Sequence, residues 1–152
     1  MSLEKELNQT KFESIYQKML LNIVYTADDF NRAMHKVFKQ YGLTAPQFNI
    51  LRILAGASPK PLSPGDIKKV MLFKGSDVTR LLDRLEKKGL LSRVLCPTNR
   101  RKMDVAINEK GIALLAEINP KIRQSTEDFH RYKLSETETL QLNTLIEKLR
   151  YG

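Results

Sequence analysis

The chain has 152 residues, 41% of them apolar, and a formal net charge of +9 at pH 7. That length suits one domain with a substantial core and is short for two. No apolar run approaches the roughly 18 residues of a membrane span, the N-terminus lacks a secretory signal pattern, and the single cysteine, Cys96, excludes an internal disulfide framework or a cysteine-rich zinc site, so we expect a cytoplasmic protein with no membrane partner, no cofactor and no metal.

From Phe12 to Tyr41 apolar residues recur at spacings of three and four, which predicts one long amphipathic helix ended by Gly42. At 1.5 Å per residue it would be a rod of roughly 45 Å. A small following domain cannot cover that length, so part of the stripe, which includes Tyr16, Ile23 and Phe38, needs another partner. Thr44-Ala45-Pro46-Gln47 has the form of a capping box and opens a second helix through Phe48 to Leu54, failing at Gly56. Ser58-Pro59-Lys60-Pro61 allows a loop or a short edge strand.

Ser63-Pro64-Gly65-Asp66 supplies an N-cap, a proline at the first helical position and an acid in the first turn, so a short third helix runs to about Met71. After the turn Leu72-Phe73-Lys74-Gly75, Ser76 is expected to cap a fourth helix. It places Val78, Leu81, Leu82 and Leu85 on one face and turns Asp77, Thr79, Arg80, Asp83, Arg84 and Lys87 outward; Gly89 stops it. Two short strands, Leu91 to Leu95 and Met103 to Ile107, flank the turn residues from Cys96 to Arg101. Asn108 caps a fifth helix that Pro120 should kink or split. Ser135-Glu136-Thr137-Glu138 opens a last helix bearing Leu142, Leu145, Ile146 and Leu149.

Charge is concentrated in one part of this layout. Residues 68–102 hold eleven Lys and Arg against Asp77, Asp83 and Glu86, which is +8 of the chain's +9. Such focusing is the footprint of a nucleic-acid reader, because neutralising phosphates releases counterions and drives association. Helix, short helix, turn, helix and hairpin together describe a helix-turn-helix with a β wing, a reader of duplex DNA.

Residue by residue, the whole chain resembles the MarR family of bacterial winged-helix regulators. The likeness rests on Leu43 to Phe48, on Val78 to Leu90 with its Thr79-Arg80-Leu81-Leu82-Asp83-Arg84-Leu85-Glu86-Lys87-Lys88-Gly89 core, on Arg93, and on Asn99-Arg100-Arg101 at the wing tip followed by Asn108-Glu109-Lys110-Gly111. Asn99 stands where the family usually has an aspartate that orients the wing arginine, and Asn108 where it usually has a threonine. The resemblance implies a mainly α fold with a small β wing: a single unit over 1–152, winged-helix region 43–108, and dimerisation helices within 10–42 and 109–150.

The fourth helix is then expected in the major groove with Ser76, Asp77, Thr79 and Arg80 nearest the base edges and Arg84 nearer the backbone. Arg80 has the fork that matches guanine O6 and N7, Lys68, Lys69 and Lys74 suit phosphates, and Arg101 with Arg100 suits an adjacent minor groove. The implied function is a homodimeric repressor on a palindromic operator, released when a small aromatic or anionic ligand enters a crevice between dimer helices and winged region. Tyr16, Ile23, Phe38 and Phe48 are its candidate lining.

Blander readings compete. The basic helix face could be ordinary solvated surface, and the Phe12 to Tyr41 stripe could be intramolecular core. His35 and His130 read as helix and surface residues, and Cys96 as unreactive, since relatives that sense oxidants carry their cysteine in the first helix and residues 12–41 contain none. A low-specificity architectural DNA-binding protein is the alternative function. No nucleophile, base and orienting group, and no glycine-rich phosphate loop, support an enzyme.

Overall fold

The computed structural model of the protein describes residues 2–96, 99–130 and 134–152, the side chains of Arg100, Arg101 and His130 excepted. The elements run α1 Leu3–Glu6, α2 Ile15–Gln40, α3 Ala45–Ala57, α4 Pro64–Val70, α5 Val78–Lys87, β1 Leu91–Cys96, β2 Asn99–Ile107, α6 Glu109–His130 and α7 Glu136–Tyr151. Among the described residues no helix is long and apolar enough to cross a membrane.

The long helix begins later than its apolar stripe. Ser14 caps α2 by accepting a hydrogen bond from the Gln17 amide, which leaves Phe12 outside the helix. Ahead of it α1, a single turn too short to show periodicity, folds back on α2: Leu3 is buried, Lys18 donates to Glu4 at 2.5 Å, and the Tyr25 hydroxyl donates to Glu6 at 2.8 Å. α2 ends as the glycine predicts. Gly42 takes φ 63°, its amide reaches the Lys39 carbonyl, and Leu43 reaches Phe38, which is the paired closure that a left-handed residue after the last turn permits.

Both capping boxes form. Thr44 accepts from the Gln47 amide while the Gln47 side chain accepts from the Thr44 amide at 3.0 Å, and Ser135 and Glu138 repeat the arrangement. α3 runs through Gly56 to Ala57, one residue past the expected stop, and Leu62 pairs with Val105 as an isolated bridge instead of a full edge strand. The cap of α5 is Asp77, not Ser76: Asp77 Oδ1 accepts from the Arg80 amide at 3.1 Å. α6 is one helix across Pro120, so the proline does not split it. Leu115 and Ile118 are buried before it and Ile122 packs on the core after it, and burial of each such side chain contributes roughly 1.5–3 kcal/mol, enough to offset the cost of about 3 kcal/mol for an interior proline.

The core joins the C-terminal half of α2 to the winged region. Phe38 of α2 lies against Phe48 of α3 with ring centroids 5.0 Å apart, and Ile50, Leu51, Leu82, Leu85, Val105 and Ile118 close around them. The N-terminal half of α2 has no such cover: Ile15, Tyr16, Leu20 and Val24 are exposed, as are Leu142, Leu145 and Leu149 of α7. One stripe is therefore split between an intramolecular core and an uncovered face.

Candidate nucleic-acid interface

The reading unit is α4, a turn and α5. α5 is short and strongly amphipathic because Val78, Leu82 and Leu85 recur at helical spacing and are buried, so Thr79, Arg80, Arg84 and Lys87 have to point to solvent. The turn before it is pinned from outside. Asn49 of α3 accepts from the Leu72 amide at 2.9 Å, which supplies a partner for a backbone group that the turn itself leaves free. Nothing in the local sequence of the turn signals this contact, since its partner lies 23 positions away.

The side chains expected near bases and phosphates fall on this exposed edge, with differing degrees of freedom. Asp77 is committed to the helix cap and also lies 3.3 Å from Arg80 Nε. That ion pair is open to water, with the Arg80 side chain 80% exposed. An exposed pair is worth about 0–1 kcal/mol and a bidentate guanine contact roughly 1–3 kcal/mol, so Arg80 can exchange one for the other. Lys69 pairs with Asp66 at 3.0 Å, and Lys74 donates to the Lys69 carbonyl at 2.7 Å, at the C-terminal end of α4. Hydrogen bonds from Ser63 and then Lys69 hold the Asp66 carboxyl below its ordinary range. Lys68 and Thr79 are exposed, and Ser76 is half-buried in the turn.

The wing is attached to the reading helix by an ion-pair clamp. β1 and β2 are antiparallel, with Leu91 opposite Ile107, Arg93 opposite Val105 and Leu95 opposite Met103; the register slips after Leu95 so that Cys96 meets Asn99. Both strands are longer than expected, β1 by Cys96 and β2 by residues 99–102. From β1, Arg93 sends Nη1 to Glu86 Oε2 at 2.7 Å and Nη2 to Asp83 Oδ1. The Asp83 hydrogen bond, with Glu86 adding attraction against partial desolvation, raises the Arg93 pKa further above its ordinary value. Asp83 thus leaves the solvated face to which the helical pattern assigned it. The signal was present in Asp83 and Glu86 at a spacing of three on one helix side, followed by an arginine on the inner register of the next strand.

All three acids of the basic segment are consumed in this way, Asp77 by Arg80 and Asp83 with Glu86 by Arg93. Of the described basic side chains in this segment, Lys68, Arg84 and Lys87 are exposed on α4 and α5, while Lys69 is shared with Asp66. Arg100 and Arg101 lie in β2 at the wing; their side chains, and that of His130, fall outside the described residues.

Of the four residues proposed to line a ligand crevice, Phe38 and Phe48 touch, but Tyr16 and Ile23 lie elsewhere on α2. A crevice of about 580 Å³ between α2, the start of α3 and Phe73 has Phe38 in its wall, beside His35, Asn31, Thr44 and Pro46. Ile23 belongs to a separate groove of about 840 Å³ between α2 and α7. Tyr16 is exposed, and Phe48 is buried under Phe38. Helical periodicity put Tyr16, Ile23 and Phe38 on one stripe, with Phe48 on the next helix, but which side of the domain covers each turn of α2 is a tertiary matter. Among the described residues there is no cluster of three or more His, Cys, Asp or Glu side chains placed to hold a metal ion.

A family model described as MarR family matches residues 41–102. The chain is also 31% identical over 120 residues, 78% of its own length and 72% of the relative's, to the HTH-type transcriptional regulator PecS of Dickeya dadantii. The chain belongs to the MarR family. Its fold is shared by a mutant MarR from E. coli complexed with operator DNA, at TM-score 0.75 and 24% identity over 98% of this chain and 99% of that one. It is also shared by BpsR of Bordetella bronchiseptica, whose DNA binding is regulated by 6-hydroxynicotinic acid, at TM-score 0.80 and 22% identity over 93% and 99%. This MarR-family protein is a DNA-binding, winged-helix transcriptional regulator.

Proposed function

We propose that this MarR-family protein works in the bacterial nucleoid as a homodimeric repressor of a palindromic operator, and that a small aromatic or anionic ligand releases it. The observation that carries the reading is the clamp from Arg93 to Asp83 and Glu86, which ties the wing to α5 within the segment that holds the excess positive charge. In this reading Thr79 and Arg80 meet base edges, Arg84, Lys68, Lys69 and Lys74 meet phosphates, and Arg101 with Arg100 enters the adjacent minor groove. The uncovered apolar face of α2 and α7 is where the second copy packs, so α2, α6 and α7 are the dimerisation helices. Two-fold symmetry then sets the reading helices about 34–36 Å apart, one turn of DNA.

Support for the partners comes from the E. coli fold neighbour held on operator DNA and from the Bordetella one that answers to a hydroxylated aromatic acid. The crevice walled by His35 and Phe38 has the mixed polar and apolar lining such a ligand needs. A ligand there releases DNA by preferring a dimer whose reading helices stand at the wrong separation. The test is selection of bound fragments from random DNA. An inverted repeat that survives excess random duplex is expected, and recovery of unrelated fragments would instead indicate an architectural protein. On the selected operator, Arg101→Ala should lower affinity at least about tenfold with the dimer intact, while Arg80→Ala relaxes sequence preference.

A further inference from the structure

Three helix ends meet behind the reading face, away from the residues assigned to DNA. α2 ends at Gly42 and α5 ends at Gly89, both with left-handed backbones, φ 63° and 67°, and α6 begins just after Asn108. Each of the two glycines is crossed by a lysine from the next element in this junction. Lys88, the C-cap residue of α5, donates from Nζ to the Gly42 carbonyl at 2.8 Å, 46 positions away. Lys110, in the first turn of α6, donates from Nζ to the Lys88 carbonyl at 3.1 Å. A Cβ on Gly42 would stand 3.4 Å from Lys88 Nζ, and one on Gly89 3.9 Å from Lys110 Nζ, so both ammonium groups lie directly over the turns.

The chemistry of these contacts is that of helix C-termini. The Gly42 and Lys88 carbonyls lie just past the last turns of α2 and α5, where the helix ends carry partial negative charge, and a cation placed there supplies a donor and a favourable charge. Lys88 is distinctive because it makes two long-range contacts at once: its side chain binds the glycine turn after α2 and its carbonyl receives Lys110. A chain of contacts therefore runs from α6 through the end of α5 to the end of α2. Asn108 reinforces the α6 side by donating to the Gly89 carbonyl at 2.9 Å while accepting from the Gly111 amide at 3.0 Å. α2 and α6 are the helices assigned above to the dimer, and α5 is the one assigned to the operator.

We infer that Lys88 is a positioning residue for operator recognition, fixing the end of the reading helix to the dimerisation helices and so holding the separation of the two reading helices in the dimer. The inference rests on the proposed reading of α5. It differs from the bland role of a lysine in a basic segment, which is to touch phosphate. Lys88 is the one of the described basic side chains in 68–102 whose hydrogen bond reaches the glycine turn that ends α2, and its ammonium faces a carbonyl behind α5.

The experiment uses the full chain and the selected operator, with Lys88→Gln, Lys88→Arg and Lys110→Gln compared with the native protein. Affinity is measured across a salt series, on the native spacing and on an operator lengthened by one base pair between half-sites. Lys88→Gln should lower native-operator affinity about two- to tenfold, the range one net hydrogen bond supplies, and should shrink the preference for native over lengthened spacing. The slope of log affinity against log salt should stay unchanged, Lys88→Arg should recover most of the loss, and Lys110→Gln should act in the same direction. A slope reduced by about one would identify a phosphate contact and overturn the inference, as would unaltered affinity and spacing preference. If Lys88→Gln fails to fold, Lys110→Gln alone decides by the same spacing comparison. Arg80→Ala is run in parallel: its failure to alter binding would reject the reading of α5 itself, separately from Lys88.

Discussion

Removing the Arg93 guanidinium should separate the wing from α5 and leave two carboxylates beside DNA. The side chains of Arg93, Asp83 and Glu86 are 32%, 46% and 38% exposed, between a surface pair and a buried one. Exposed pairs contribute about 0.2–1 kcal/mol each, so two pairs of intermediate burial give about 1–2 kcal/mol for Arg93→Met. For a chain of this length that corresponds to a fall in Tm of roughly 3–6 °C.

The effect on DNA is additional. Two freed carboxylates at about 7 Å from phosphate in water each repel by roughly 0.6 kcal/mol, together about fivefold to tenfold in affinity, and salt should screen that part. The assay is a thermodynamic cycle: urea melts and operator titrations of the native chain, Arg93→Met, the double variant Asp83→Asn with Glu86→Gln, and the combination. In the neutralised background Arg93→Met should cost little in either measurement. A coupling below about 0.3 kcal/mol, the usual limit of additivity, would refute the clamp, and with it the tie between wing and reading helix.

Gly111→Ala should be among the most damaging small substitutions, because a Cβ there would stand 2.2 Å from the Leu90 carbonyl oxygen and 2.7 Å from Ile107 Cγ1. Backbone cannot yield as a side chain does, so we expect a loss of roughly 3 kcal/mol in urea denaturation; a melt within error of the native one would refute the close approach. Acid should release α1 late. The Lys18 hydrogen bond chiefly holds the Glu4 carboxyl at about 2 instead of 4.5, so its contribution is complete above the unfolded value and is lost as pH falls from about 4.5 toward 2. An NMR titration of the Glu4 carboxyl carbon should show this, and Lys18→Ala should return the midpoint toward 4.5. Leu145→Asp, on the exposed face of α7, should give a folded monomer by sedimentation and circular dichroism; an unchanged dimer mass would place the interface elsewhere.

The sequence alone determined the elements whose causes are local. The capping boxes at Thr44 and Ser135, the N-cap at Ser63 and the glycine closures at Gly42 and Gly89 each depend on contacts within a few residues, and the apolar periods of α2 and α5 declare which faces must be covered. Charge focused on residues 68–102 was legible for the same reason: it is a property of composition along the chain. What only the tertiary structure decided are the pairings between distant residues. Asp83 meets Arg93, Asn49 holds the Leu72 amide, Lys88 reaches Gly42, and Phe38 and Ile23 part company into different cavities. A helical period states that a face will be buried or a charge exposed, but not against what, because the partner is chosen by how separate elements pack in three dimensions.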